Sequence, residues 1–244
     1  QPCDRLRAIV HRAFEMRDTA DDIDTHVELP LRAKILPSLL ALTTVLAPVV
    51  LALPRGGVPV ALPIAQKLHA PMDLILIRKI GMPSNPELAA GALAEGSNPI
   101  FNGALLHATG MKPEDFAPLV AQAREENAAR RARYLQGRPP VELAGRTVVV
   151  ADDGIATGAT FMAAHFWLKE REPAAVILAV PVAPPEAVDE LRPLVDTLVC
   201  LLSPREFWAV GAHYRDFTQT SDEEVAAALA AAPGAGAGKD RTWH

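Results

Sequence analysis

The sequence predicts an α/β fold, with a central, mostly parallel sheet flanked by helices. Three observations lead there. Short, unbroken apolar runs recur along the chain, and segments with helical periodicity separate them. Unbroken rather than alternating runs indicate strands buried on both faces, and their alternation with helices indicates parallel connections. The ends of three of these runs carry glycine or charge, at the sheet edge where ligands bind in such folds.

In chain order, VVLAL (49–53) is the first predicted strand, followed by PRGG and a helical stretch, VPVALPIAQKL. MDLILIRK (72–79) is the second strand, and residues 80–96, with Gly81, Pro83 and Pro86, form a flexible loop. Residues 113–136 form the clearest helix: Phe116, Leu119, Val120 and Ala123 share one stripe, and Glu126 and Arg130 stand as an i,i+4 pair. GRPP at 137–140 ends it. TVVVAD (147–152) is the third strand, with a helix from about Ala159 to Glu170. AAVILAVPV (174–182) is the fourth, with PPEAVDELRPL as its helix, and TLVCLL (197–202) is the fifth.

The bulk properties narrow the function classes. The chain has 244 residues, half of them hydrophobic, which is enough for one large domain with a sizeable core. Its net charge of -5, without a basic run, argues against nucleic acid as a partner. Two cysteines make no disulfide framework, and Cys200 reads as a small buried hydrophobe, so a cytoplasmic setting fits. The uncharged stretch ILPSLLALTTVLAPVVLAL (35–53) approaches membrane-spanning length, but Pro37 and Pro48 divide it. We read it as a core helix followed by a core strand, with no membrane partner. Glu15, Asp18, Asp21, Asp22 and Asp24 are unlike a signal peptide. The seven histidines show no metal-ligand spacing, and no G-x-S-x-G is present.

The most informative stretch is VVVADDGIATGAT (148–160). Gly154 and Gly158 allow the backbone close to an anion, the following helix offers free N–H groups, and Thr157 and Thr160 add hydroxyls. The loop lacks both the Walker A lysine and the dinucleotide-binding glycine spacing. Asp152 and Asp153 would repel a phosphate, so they must face something else. The vicinal hydroxyls of a ribose, with Mg²⁺ nearby, fit. Asp152 and Asp153 acting merely as caps of the next helix is the plainer alternative.

This stretch resembles the phosphoribosyl-diphosphate (PRPP) signature of the type I phosphoribosyltransferases. LALPRGGVPVA resembles that family's pyrophosphate loop, LIRKIGMPSNPELAAGALAEG its flexible catalytic loop, and SPREFWAVGAHYRDF the base-binding hood of the hypoxanthine-guanine members. The resemblance implies the type I fold with a C-terminal hood, and the transfer of phosphoribose between PRPP and a nitrogenous base, with a purine favoured. It implies Mg²⁺ as cofactor and a homodimer.

By motif position, Asp152 and Asp153 would bind the ribose hydroxyls and the metal. Gly154, Ile155, Ala156, Thr157, Gly158, Ala159 and Thr160 would hold the 5′-phosphate. Arg55, Gly56 and Gly57 would hold pyrophosphate, in a loop that often contains a non-proline cis peptide. Arg78 and Lys79 would stabilise pyrophosphate as it departs, and Glu87 or Glu95 could assist. Phe207 would stack on the base, with Trp208 beside it. Ala156 departs from the hypoxanthine-guanine pattern, which has aspartate there, and agrees with the adenine enzymes.

The resemblance also divides the chain. Residues 1–48 are an N-terminal helical segment without an assigned role, and 49–202 the core, with a helical insertion at about 103–140. Residues 203–232 are the hood and C-terminal helix, and 233–244 a low-complexity tail expected to be disordered. Two other readings remain: a PRPP-binding regulator without turnover, and a hydrolase of phosphorylated sugars.

Overall fold

The computed structural model of the chain describes residues 47–234. The expectations for the segment before Ala47 and for the tail after Gly234 lie outside the described residues. Five strands form one parallel sheet: β1 (Val49–Ala52), β2 (Met72–Leu74), β6 (Thr147–Ala151), β7 (Ala175–Val182) and β8 (Thr197–Leu202), in the order β2-β1-β6-β7-β8. The predicted α/β class is therefore observed. The remaining strands, β3 (Ile77–Met82), β4 (Asn85–Ala94) and β5 (Ile100–Phe101), form a separate antiparallel sheet.

The unbroken apolar runs do feed two cores. Val50, Ala52, Val149, Ala151, Ile177 and Ala179 face one side, against α1 (Gly57–Leu68) and the C-terminal helix α6 (Asp222–Ala231). Their strand neighbours Val49, Leu51, Val148, Val150, Leu178 and Val180 face the other, against α4 (Ala159–Lys169) and α5 (Pro185–Leu191). Successive side chains of a strand point to opposite faces, so a strand covered on both sides needs apolar residues throughout. Among the described residues, no helix is long and apolar enough to cross a membrane.

One predicted strand divides. MDLILIRK starts as β2 in the main sheet, and Ile75 N–H still donates to the Ala52 carbonyl. From Ile77 the chain leaves the sheet and pairs with β4, because Arg78 and Lys79 cannot continue between two apolar layers. The predicted flexible loop is thus mostly a β-hairpin, with an exposed tip from Pro83 to Ala89. One hairpin face rests on the helical insertion, α2 (Gly103–Thr109) and α3 (Ala117–Leu135), the latter preceded by a 3₁₀ turn at Pro113–Phe116. There Phe116, Leu119, Val120 and Ala123 meet Ile80, Met82, Ala90 and Leu93, as the helical stripe requires. The expected Glu126–Arg130 pair is not what the structure shows. Glu126 binds Arg78 and accepts from Gln122 Nε2 at 2.9 Å, because the hairpin brings a second cation to that face.

Candidate active site

β1 and β6 are adjacent, and Ala52 pairs with Ala151 at their carboxyl ends. Two loops therefore leave the sheet side by side: Pro54–Gly57 after β1, and Asp152–Gly158 after β6. Leu53 N–H donates to the Ala151 carbonyl at 3.0 Å, and Gly57 N–H to the Leu53 carbonyl at 2.9 Å. The Pro54–Arg55 peptide is cis.

The loops touch so closely that side chains are excluded between them. A Cβ on Gly56 would lie 1.8 Å from Asp153 Oδ2, and one on Gly57 would lie 2.4 Å from the Ala151 oxygen. The glycines of PRGG thus serve contact with the acidic pair, which spacing alone did not reveal.

Asp152 and Asp153 are half-buried. Asp153 N–H donates to Asp152 Oδ1 at 2.9 Å, and the two carboxyl groups lie close enough to shift each other's protonation. Burial, then the charge of Asp153, push the Asp152 carboxyl well above the usual carboxylate range. Burial also raises Asp153, against the opposing hydrogen bonds from Asp152 and from the N–H groups of Asp153 and Gly154. Two carboxyl groups this close ionise together only at a cost, which a cation between them would remove. The N-cap of α4 is Gly158, in the left-handed conformation and without a side-chain cap, so the aspartates are not helix caps.

The loop beyond the pair is anchored by Ile155, which is buried in the core and donates its N–H to the Val182 carbonyl at 2.9 Å. Ala156, Thr157, Ala159 and Thr160 remain exposed around the N-terminus of α4. Backbone N–H groups at a helix start, two hydroxyls and the positive end of a helix are the features that suit an anion.

Magnesium commonly takes one or two carboxylates and completes its octahedron with water and substrate phosphate. Among the described residues, no cluster of three or more His, Cys, Asp or Glu could hold a metal by itself. The paired Asp152 and Asp153 fit a metal shared with a phosphorylated ligand.

The predicted cations occupy different settings. Arg55 Nη1 lies 3.6 Å from Asp222 Oδ1, at the start of α6. Asp222 also accepts from Arg133 and, at 2.6 Å, from Tyr134. Arg78 faces α3 and pairs with Glu126. Lys79, next along β3, points to the other face, is exposed, and makes no ion pair among the described residues.

Glu87 is exposed at the hairpin tip. Glu95, at the hairpin base, binds Arg131, which also binds the buried Asp73 at 3.1 Å. Burial raises the Glu95 carboxyl to about 7, outweighing the attraction of Arg131, and Asp73 adds to the rise. Two adjoining cavities of about 270 Å³ each share Glu95, Gly96 and Arg131, and neither is lined by the acidic pair or the anion loop. They belong to the hairpin base.

The hood closes over the acidic loop. A Cβ on Gly154 would lie 2.6 Å from Val210 Cγ1, so the missing side chain admits the hood. Phe207 packs beside Val182, Val210 and Tyr214, and stacks on His213 with ring centroids 5.4 Å apart. Trp208 points away, 89% exposed. The two neighbours do point to opposite sides, but Trp208, expected beside the site, stands in solvent instead. His213 is half-buried under Phe207, and desolvation lowers its pKa. The Tyr214 hydroxyl donates to the Asp153 carbonyl, a contact the sequence did not signal. Burial and the charges of Asp153 and Asp152 push that phenol up, so it stays protonated.

A five-stranded parallel sheet flanked by helices, with an acidic pair at a strand end, a helical insertion and a hood, defines an α/β protein whose candidate site lies at the carboxyl ends of its strands. More particularly, residues 44–216 match the phosphoribosyl transferase domain family, and the chain belongs to that family, with its type I fold. It is 45% identical over 186 residues to two Mycobacterium tuberculosis proteins, from strains CDC 1551 and H37Rv, that bear the provisional name phosphoribosyl transferase. That alignment covers 75% of this chain and 41% of each relative, so the chain spans about two fifths of their length. A crystal structure of the Thermus thermophilus protein TT1426 is 41% identical, with a TM-score of 0.68. The match covers 82% of this chain and 95% of that one.

Proposed function

We propose that this chain transfers phosphoribose between PRPP and a nitrogenous base, with a purine favoured and pyrophosphate as the other product. The observation that carries this reading is the contact of Gly56 and Gly57 with Asp152 and Asp153, beside the exposed loop 156–160. One carboxylate pair thereby adjoins two anion-binding segments. PRPP has the matching pattern: a ribose diol between a 5′-phosphate and a pyrophosphate.

In this reading Asp152 and Asp153 accept the ribose hydroxyls. Residues Ala156 to Thr160 hold the 5′-phosphate, with Ile155 as the buried anchor of the loop rather than a ligand contact, and Arg55, Gly56 and Gly57 hold the pyrophosphate. Magnesium, held by Asp152 and Asp153 directly or through water, would neutralise pyrophosphate charge. The bond from C1 to the pyrophosphate oxygen breaks, a base nitrogen bonds to C1, and the base releases a proton. Lys79 stands on the hairpin as the cation for the departing pyrophosphate, and Phe207 offers the base an apolar face. Closure of the hairpin would exclude the water that otherwise captures the cationic sugar.

Arg78 has a different place in this reading. Its pairing with Glu126 makes it a support of the hairpin until closure frees it. We further propose a cytoplasmic homodimer, which sedimentation would test.

The ion pairs of Arg55 with Asp222 and of Arg78 with Glu126 also suit a second reading, a PRPP-binding regulator without turnover. A turnover screen separates the two. It uses PRPP, Mg²⁺ and a panel of purines, pyrimidines and other amines, scored by pyrophosphate release. Release with one acceptor class supports the transferase, and PRPP binding without release supports the regulator.

A further inference from the structure

The hood and the acidic loop meet through one peptide group. The Asp153 carbonyl accepts from the Tyr214 hydroxyl, while the N–H of the same peptide, on Gly154, acts on the Asp153 carboxylate. A peptide group is planar, so holding its oxygen fixes the direction of its N–H. Tyr214 is itself fixed: it is 4% exposed, packs beside Val182, and its ring lies 5.1 Å from that of Phe217. Val210, in the same hood segment, fills the space left by the missing Cβ of Gly154. The segment that carries Phe207 therefore also holds the backbone that bears the Asp153 carboxylate.

We propose that Tyr214 is a positioning residue, whose hydroxyl orients the Asp153–Gly154 peptide and through it the carboxylate that receives the ribose of Mg-PRPP. It touches no substrate atom and acts through Asp153. The ligand assignment rests on the proposed phosphoribose transfer, whereas the orientation of the peptide does not. One consequence is that the two substrate regions share a backbone connection: a base settling on Phe207 bears on the hood segment that holds Asp153.

The test is Tyr214→Phe, which removes only the hydroxyl. Without ligand, the Gly154 amide resonance should shift while strand β7 resonances stay in place, since that amide reports the peptide's orientation. By calorimetry, Mg-PRPP affinity should fall about tenfold, the value of one lost hydrogen bond. In an Asp153→Asn background the same substitution should cost nothing further, because the group it positions has lost its charge. A purely structural tyrosine would give the same fold-loss in both backgrounds. An unmoved Gly154 amide, or equal losses in the two backgrounds, overturns the inference. Absent Mg-PRPP binding by the wild-type chain, with the Gly154 shift observed, would instead overturn the phosphoribose reading and leave the positioning role standing.

Discussion

Replacing Gly57 by alanine would place a methyl carbon 2.4 Å from the Ala151 carbonyl oxygen and 3.0 Å from the Asp152 Cα. Both neighbours are backbone, at the end of a central strand, so neither can rotate away. Relief requires a displacement of about 1 Å to reach ordinary contact, at an overpacking cost of about 1–3 kcal/mol. The Ala151 oxygen also accepts from Leu53 N–H, and losing that buried bond adds about 1 kcal/mol. Gly57 opens α1, where alanine returns up to about 1 kcal/mol of helix propensity. The net expectation is about 2 kcal/mol of destabilisation, or a urea midpoint lowered by about 1 M at an m-value of about 2 kcal/mol/M. Mg-PRPP affinity should fall as well, because the loop is forced off the acidic pair. Gly103→Ala is the control: its Cβ meets nothing within 4 Å, and stability should hold or rise slightly. If Gly57→Ala unfolds within about 0.5 kcal/mol of wild type and binds Mg-PRPP normally, the argument from close approach fails.

Changing Asp152 and Asp153 together to asparagine should leave the fold intact and weaken Mg-PRPP binding by about 2–3 kcal/mol, read by calorimetry, since charge-assisted bonds are replaced by neutral ones. Lys79→Ala should lower kcat more than it changes PRPP affinity, because its charge matters most as pyrophosphate leaves; an effect confined to KM would make it a binding residue. The pH dependence follows from Glu95, raised from 4.5 to about 7 by burial. Between these values the folded state holds a proton that the unfolded chain has released, so stability should decline as pH rises through this window. Asp152 and Asp153 are shifted the same way and contribute in the same sense. Urea midpoints from pH 4.5 to 8 should show this slope, and Glu95→Gln should flatten its upper part; an unchanged slope in that variant would remove Glu95 as its source.

The features legible in the sequence are those whose physics is local. The five main strands are visible because burial on both faces leaves unbroken apolar runs, and the acidic pair is visible because carboxylates, glycines and hydroxyls are consecutive. The hairpin was hidden because Ile75 and Leu76 continue an apolar run through the point where the chain changes sheets. Residue types at 80–96 could announce a turn but not its partner strand. The site's couplings were hidden for another reason. Arg55 with Asp222, Arg78 with Glu126, and Tyr214 with Asp153, 61 positions apart, join residues that meet only after folding. Phe207 and Trp208 lie between these cases: extended-chain alternation separated them, and packing chose which one faces inward.

The division of α3 between two cores has a mechanical meaning. Its C-terminal residues Tyr134 and Leu135 are rooted in the main core, while Leu119, Val120 and Ala123 at the other end, with Phe116 just before it, carry the hairpin. The 19-residue helix is thus a cantilever about 28 Å long. Near its middle, Asn127 Nδ2 donates to the Leu76 and Leu93 carbonyls, at 3.4 and 3.3 Å, where the hairpin begins and ends. One turn on, Arg131 grips Glu95 and Asp73. The strand ladder of the hairpin closes on itself, with no strand shared with the main sheet. Its attachment to the rest of the molecule therefore draws on these amide and ion-pair contacts, together with the bond from Trp167 Nε1 to the Glu95 carbonyl at 2.7 Å, rather than on strand pairing with the sheet that bears the acidic pair.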